Sequence, residues 1–409
     1  MSLILTVHRG AHEIGGSCVE VAHPSGERLI LDAGRPLDAL ERATGLLPAS
    51  LDLSRPATVL IGHPHQDHWG LVDELPADWP VWTGKGSAEL IAITARARRQ
   101  PLGRKLHTWD SRSGPFRIGA FTVTPFLTDH SAFDACMLLV EGAGKRVLYG
   151  GDFRRHGRKG ILVDRMMADP PKDLDVLILE GTNLGSDKSC RTEDDLEEDF
   201  RALFDSTPGR IFVCWSGQNI DRTVTLYRAA LKSGRRLVVD LYTAEVLDRI
   251  GEGTRLPRAG FRKFGIVITK GLRAVYGRND EGFIGRMVRF PDSLSAKRIG
   301  PRDVIMLRDS LVHDYEKAGV RPGPEDAFVW SMWAGYLRQG EGAHGWCSRG
   351  GARMIHLHTS GHAAPDDLRA FAEAMNPRVV VPVHGANWQD DHGIPRLHRL
   401  VDGEAWSLA

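Results

Sequence analysis

The chain has 409 residues, 42% hydrophobic and 26% charged, with a formal net charge of +1, a mix that supports two or three folded units and excludes a disordered or low-complexity chain. The opening Met1-Ser2-Leu3-Ile4-Leu5-Thr6-Val7 is broken by His8 and Arg9, too short for a leader or a membrane span, so a cytoplasmic protein with no membrane partner is expected. Cys18, Cys136, Cys190, Cys214 and Cys347 are odd in number and contain no Cys-x-x-Cys, which argues against a disulfide framework and a thiolate metal site alike and marks them as reduced core thiols.

The apolar run Thr58-Val59-Leu60-Ile61 reads as a strand and leads into His63-Pro64-His65-Gln66-Asp67-His68-Trp69. A single His-x-His is usually a polar surface loop. Three imidazoles and a carboxylate within six positions are instead the donor set of a divalent ion such as zinc. His63 and His65, two apart in extended chain, face one way, while Asp67 and His68 fall where the chain turns into a helical pattern and can face a second ion.

Further along, Arg96-Ala97-Arg98-Arg99 and Arg154-Arg155-His156-Gly157-Arg158-Lys159 are basic clusters. From Ser186 to about Gly350 the chain changes character. Thr192 and Asp195 have capping-box spacing at the head of an acidic run read as a helix start. Strand-like runs (Arg210 to Cys214, Arg236 to Asp240, Val304 to Leu307) then alternate with helices around Thr223 to Leu231 and Glu245 to Ile250, which implies a parallel α/β sheet. Within it, Arg249 to Arg298 carries a net +8, a patch that phosphate backbones reward; Arg262, Lys263 and Arg273 are trial contacts, and Tyr276 or Phe283 would stack on a base.

The spacing His-x-His-x-Asp-His resembles the metallo-β-lactamase superfamily, and the rest of that pattern is present as Asp32 after Leu29-Ile30-Leu31, His130 in Thr128-Asp129-His130-Ser131, and Asp152 in Gly150-Gly151-Asp152-Phe153. His356-Leu357-His358-Thr359-Ser360-Gly361-His362 and Val379-Val380-Val381-Pro382-Val383-His384-Gly385 then resemble the β-CASP nucleases, most nearly the ribonuclease J-like and cleavage-factor-like enzymes. Gly10 to Cys18 is similar to their opening glycine-rich turn, and Leu179-Glu180-Gly181-Thr182-Asn183 to their acidic motif. Two departures stand out: Ser216-Gly217-Gln218-Asn219-Ile220-Asp221-Arg222 keeps the Asn and Arg of a family motif but not its His, and Val329-Trp330-Ser331-Met332-Trp333-Ala334-Gly335-Tyr336 replaces a small, serine-rich segment.

The resemblance implies an α/β protein, a metallo-β-lactamase αββα sandwich (residues 1–185 and 350–409) with an inserted β-CASP α/β domain (186–349) capping the metal site. It further implies two divalent ions, zinc with manganese or magnesium as alternatives: His63, His65 and His130 on one, Asp67, His68 and His384 on the other, Asp152 bridging, and Asp32 behind the ligands. Asp67 and His362 are the expected catalytic groups, with Glu180 orienting His362; His358, Ser360, Gly361, Asn219 and Arg222 are expected at the substrate. The activity expected is a two-metal phosphodiesterase acting on RNA, exo- or endonucleolytic, with a metal-bridging hydroxide as nucleophile. A DNA nuclease of the same group and a small-molecule metallohydrolase are the alternatives, and a homo-oligomer stays open. The DNA enzymes commonly lack the histidine that stands here as His384, which favours RNA.

Overall fold

The computed structural model describes residues 2–277 and 281–408. Contacts divide the chain into two compact units, Met1–Cys190 with Gly361–Ala409, and Arg191–Ser360. The second boundary therefore falls at 360/361 rather than the expected 349/350. The reason is a strand, Arg353–His356, which pairs in parallel with Ala327–Trp330 and so belongs to the insertion's sheet.

The first unit holds two sheets. One joins β1 (Ile4–Arg9), β2 (Cys18–Ala22), β3 (Arg28–Leu31), β4 (Thr58–Ile61), β5 (Val81–Gly84) and β6 (Leu106–Trp109), antiparallel up to β3 and parallel beyond it. The other joins β7 (Phe116–Ile118), β8 (Phe121–Leu127), β9 (Cys136–Gly142) and β10 (Lys145–Tyr149) in an antiparallel meander, then β11 (Val176–Glu180) in parallel. Strands β4 and β11 are covered on both faces, which is why they read as nearly continuous apolar runs, whereas β8 alternates buried and half-buried positions. Along β9, Cys136, Leu138 and Val140 point into the core between the sheets, where they meet Val7, Val21 and Leu31, while Met137 and Leu139 point outward. Short helix α1 (Gln66–Trp69) follows β4. Helix α2 (Lys85–Ala97) covers the outer face of the first sheet with Ile91 and Ala95; α3 (Gly160–Ala168) places Val163 over the second. The layers are thus helix, sheet, sheet, helix.

The second unit opens with α4 (Glu193–Ser206), whose Thr192 and Asp195 form the reciprocal capping pair. Strands β12 (Ile211–Cys214), β13 (Arg236–Asp240), β14 (Phe264–Val267), β15 (Ser293–Leu294), β16 (Asp303–Met306), β17 (Ala327–Trp330) and β18 (Arg353–His356) build one parallel sheet in the order β15-β14-β13-β16-β12-β17-β18. Its connecting helices are α5 (Ile220–Lys232), α6 (Leu241–Gly251), α7 (Lys270–Gly277), α8 (Glu281–Val288), α9 (Asp309–Lys317) and α10 (Gly342–Arg349).

The chain then returns to the first unit through α11 (Pro365–Met375), which buries Leu368, Phe371, Ala372 and Met375 beside α3. β19 (Val379–Val383) adds in parallel to β11, and β20 (Ala405–Ser407) pairs antiparallel with β1. Among the described residues the five cysteines form no disulfide; four of them are buried, and burial pushes the Cys18 and Cys136 thiols up to about 12. Among the described residues no helix is long and apolar enough to cross a membrane.

Candidate metal centre

The ligand-type residues of the first unit follow the ends of its strands. β4 delivers His63 to His68, the chain after β8 delivers His130, β10 delivers Asp152, β11 ends on Glu180, and β19 delivers His384. Loops at strand ends can converge without disturbing the sheet, and a rigid scaffold fixes them. The His63 loop is pinned from both sides. Trp69 Nε1 donates to Pro64 O at 2.9 Å, Ser17 N donates to Asp67 O at 3.1 Å, and a Cβ at Gly34 would sit 1.8 Å from that same oxygen, so only glycine fits there. His384 is held in the left-handed region (φ 50°) while its N–H donates to Gly10 O at 2.7 Å, which gives the opening glycine-rich turn its job.

Two donor groups result. Ring nitrogens of His63, His65 and His130 lie within 4.8 Å of one another, as do donor atoms of Asp67, His68, Asp152 and His384. His65 Nδ1 and His130 Nε2 are 3.1 Å apart, and His63 Nε2 is 3.7 Å from Asp152 Oδ2. On the other side His68 Nε2 is 3.1 Å from Asp152 Oδ2, and His384 Nε2 is 3.3 Å from Asp67 Oδ2. Asp152 therefore touches both groups. Glu180, His362, His384 and Asp152 form a third set within the same distance.

These residues fit divalent cations. Among the described residues, buried His63 Nε2, His130 Nδ1 and Asp152 Oδ1 have no hydrogen-bond partner, an arrangement that is expensive for buried polar atoms unless they coordinate something. Burial first, and neighbouring histidines second, hold His63 and His130 well below the usual imidazole range, so their lone pairs are available. Asp152 is the reverse case: burial alone would raise it, but His384, His68 and His362 keep it ionised. A set of neutral imidazoles around carboxylates is the chemistry of a divalent metal site.

Behind the ligands, Asp32 is fully buried. Its Oδ2 is 2.6 Å from His68 Nδ1 and accepts the Tyr149 hydroxyl at 2.6 Å, while Oδ1 accepts Gly62 N at 2.8 Å. A proton on Nδ1 leaves Nε2 of His68 as the ligand atom facing Asp152. Thr182 Oγ1 lies 2.9 Å from His384 Nδ1 and does the same for that ring. Glu180 accepts Thr182 N at 3.1 Å and sits 3.2 Å from His362 Nδ1. Burial would lower His362, but Glu180 and Asp152 outweigh it and raise the imidazole to about 9; bound cations beside Asp152 would pull that value back down. Gly361 lets this ring approach, since a Cβ there would be 2.8 Å from Ser131 Oγ and 3.5 Å from His130 Cε1. Tyr149, Thr182 and Ser131 were not foreseen. The one available signal was a tyrosine on the inward-facing register of β10, where an apolar residue is expected.

The remaining expected residues lie in the second unit. His358 is largely buried, and burial first, then Arg222, lowers it to about 3, so it is neutral. Ser360 closes the unit. Asn219 is the N-cap of α5, its side-chain oxygen accepting Arg222 N at 3.0 Å. Arg222 needs correction as a substrate contact: it is fully buried, its guanidinium 3.0 Å from Glu193 Oε1 and 3.1 Å from Ser331 O, so it is already committed within the fold. Tyr276 and Phe283 are also corrected. Both are buried, their rings are 5.4 Å apart, and the tyrosine hydroxyl donates to Glu245 at 2.7 Å. Their place in the +8 run suggested exposure, but each lies on the inner face of its helix. Arg262 and Arg273 are exposed, Lys263 Nζ donates to Gly234 O, and Arg278 and Asp280 lie outside the described residues. In the first unit Arg154 is not part of an open basic patch, being fully buried 3.6 Å from Asp129.

The fold and the paired donor groups define a metallo-β-lactamase-superfamily protein with a divalent-metal centre. A family model for the beta-lactamase superfamily domain matches residues 27–213, and one for the Zn-dependent metallo-hydrolase RNA specificity domain matches 351–389, together more than half of the chain. The chain is similar to ribonuclease J of Mycobacterium tuberculosis (25% identical over 361 residues, 80% of this chain and 58% of that protein). It is also similar to ribonuclease J of Helicobacter pylori (22% over 410 residues, 94% and 56%). The chain spans little more than half the length of these curated relatives. A crystal structure of a protein of unknown function from Enterococcus faecalis V583 shares the fold over the full length of both chains, with a TM-score of 0.79 and 18% identity. These matches support a metallo-β-lactamase, β-CASP ribonuclease J-like family for the chain.

Proposed function

We propose that the chain is a two-metal phosphodiesterase that cleaves RNA, with zinc as the first candidate ion. The observation that carries this is the pair of donor groups, with Asp152 of the second lying 3.7 Å from His63 of the first, in a chain similar to ribonucleases J and matched by an RNA-specificity family model. His63, His65 and His130 would hold one ion and Asp67, His68 and His384 the other. Divalent ions there would supply Lewis acidity toward a phosphoryl oxygen and acidify water.

The protein's own groups complete the chemistry. Asp67 orients the attacking water and takes up its proton. Glu180 holds His362 by Nδ1, which makes Nε2 the atom that donates to a non-bridging phosphate oxygen or to the departing oxygen. Gly361 sets the distance of that ring from His130. The exposed Arg262 and Arg273 offer phosphate contacts on the second unit.

The test uses purified protein on end-labelled RNA and DNA of one sequence, with elemental analysis of the wild type and of Asp152→Ala. RNA should be cut, and the variant should lose both metal and turnover. Cleavage of DNA alone, or a single ion per chain, would refute the proposal.

A further inference from the structure

After β17 the chain crosses a loop on the carboxyl-terminal side of the parallel sheet, the side on which open α/β sheets receive ligands. In that loop Trp333 and Tyr336 are 53% and 59% exposed. Their rings meet edge to face, centroids 5.1 Å apart at 88°. Leaving two large aromatics in water is unfavourable, yet the loop is built to present them. Trp330 Nε1 donates to Trp333 O at 3.0 Å, Tyr336 N donates to the same oxygen at 3.1 Å, and His356 Nε2 lies 3.0 Å from Met332 O. The indole folds over Gly335, where a Cβ would come within 2.3 Å of ring carbons. A short 3-10 turn, Ala334–Tyr336, fixes the spacing of the two rings.

The surroundings decide what such a pair would hold. The other exposed large hydrophobic side chain of this unit, among the described residues, is Val288, so there is no broad apolar face of the kind a protein partner needs. The loop instead carries Gly335, Gln339, Gly340 and the exposed Arg338, which makes no ion pair among the described residues. Flat rings beside an uncommitted cation suit a base next to a phosphate.

We propose that Trp333 and Tyr336 form a stacking platform for unpaired bases of single-stranded RNA, with Arg338 at the adjoining phosphate. This rests on the ribonuclease reading and adds to it a preference for unpaired, base-bearing strands. The platform occupies the segment that departs from the family pattern, so it belongs to this chain in particular.

Binding of the full chain, metals loaded, would be measured by fluorescence anisotropy with a labelled phosphorothioate RNA that resists hydrolysis. An abasic strand of the same length and the matching duplex are the comparisons. Trp333→Ala with Tyr336→Ala should weaken the single strand about 10–100-fold, the loss expected for one or two stacks, while Trp333→Phe with Tyr336→Phe retains most of the affinity. The abasic strand should bind wild type and alanine variant alike, and the salt slope should not change, because no phosphate contact has been removed. Equal metal content in all variants shows that the fold is intact. If the wild type cuts RNA but the alanine variant binds the intact strand as tightly as wild type, the platform is refuted and the ribonuclease reading stands. If the wild type neither binds nor cuts RNA, both fall. A shift in oligomeric state with strand affinity unchanged would make the pair a protein interface and would also overturn the proposal.

Discussion

Asp32 accepts hydrogen bonds from Tyr149 and Gly62 and pairs with His68 Nδ1, all without access to water. Replacing Tyr149 by Phe removes one donor and lets the carboxylate rotate, so His68 is oriented less firmly. We expect metal affinity in Tyr149→Phe to fall about tenfold, with a larger fall in Asp32→Asn, the range typical when the partner behind a ligand is changed. Competition with a chromogenic chelator would measure both. His362→Ala should behave differently: metal content is retained while turnover drops about 10²–10⁴-fold, as for a positioned acid or base. Loss of an ion from that variant would make His362 a ligand of the third donor set instead. The ligand loop was legible in sequence because four donors crowd into one turn. Tyr149 and Thr182 were not, since a hydroxyl on an apolar strand or in a glycine-containing turn has no pattern until the fold brings a partner to it.

Helices explain where the sequence misled. A helix around Thr223 to Leu231 was recognisable from the alternation of patterns, and Arg222 just before it looked like a site cation; the structure starts α5 at Ile220 with Asn219 as its N-cap. The helix instead turns that residue inward onto Glu193 of α4, and Thr225 Oγ1 donates to the same carboxylate at 2.7 Å. Breaking a buried ion pair from one side strands the other charge, so Arg222→Ala should destabilise the fold by about 3–5 kcal/mol, and Arg222→Met with Glu193→Gln by clearly less. Urea unfolding would show this; a normal denaturation midpoint with weakened RNA binding would return Arg222 to the substrate. Tyr276 and Phe283 teach the same point. Charge density along a sequence does not report which face of a helix a ring occupies, whereas amphipathic spacing, read residue by residue, would have placed both inside.

At the scale of the molecule, the two-unit organisation followed from alternating strand and helix patterns, but β18 is too short and too close to the His356 motif to be assigned to the insertion without its partner strand. Global stability should also carry an acid limb. Glu20 is buried, which alone would raise it, but hydrogen bonds from His8 and Arg28 hold it down at about 2. A carboxyl whose folded value lies below its ordinary 4.5 adds stability that is complete above that value and is lost as pH falls toward 2. The contribution is up to about 3 kcal/mol. In Glu20→Gln the decline of the urea midpoint between about pH 5 and 2 should be shallower than in wild type; an identical slope would show that other carboxyls govern acid unfolding.

The parallel pairing of β11 with β19 also bears on how the protein is made. Val176 to Glu180 hydrogen-bond to Val379 to Val383, and Asp67 meets His384 across 317 positions of sequence. A ribosome would release both sheets of the first unit, lacking only their last strands, well before this partner strand exists, with the β11 edge unpaired and open to other chains. The second donor group would lack one of its imidazoles for the same interval. Closure of such a distant contact is slow compared with forming the hairpins that precede it. Assembly of the centre is thereby timed to the emergence of β19, long after the His63 loop and β11 have been made, and until then the nascent chain carries an incomplete site.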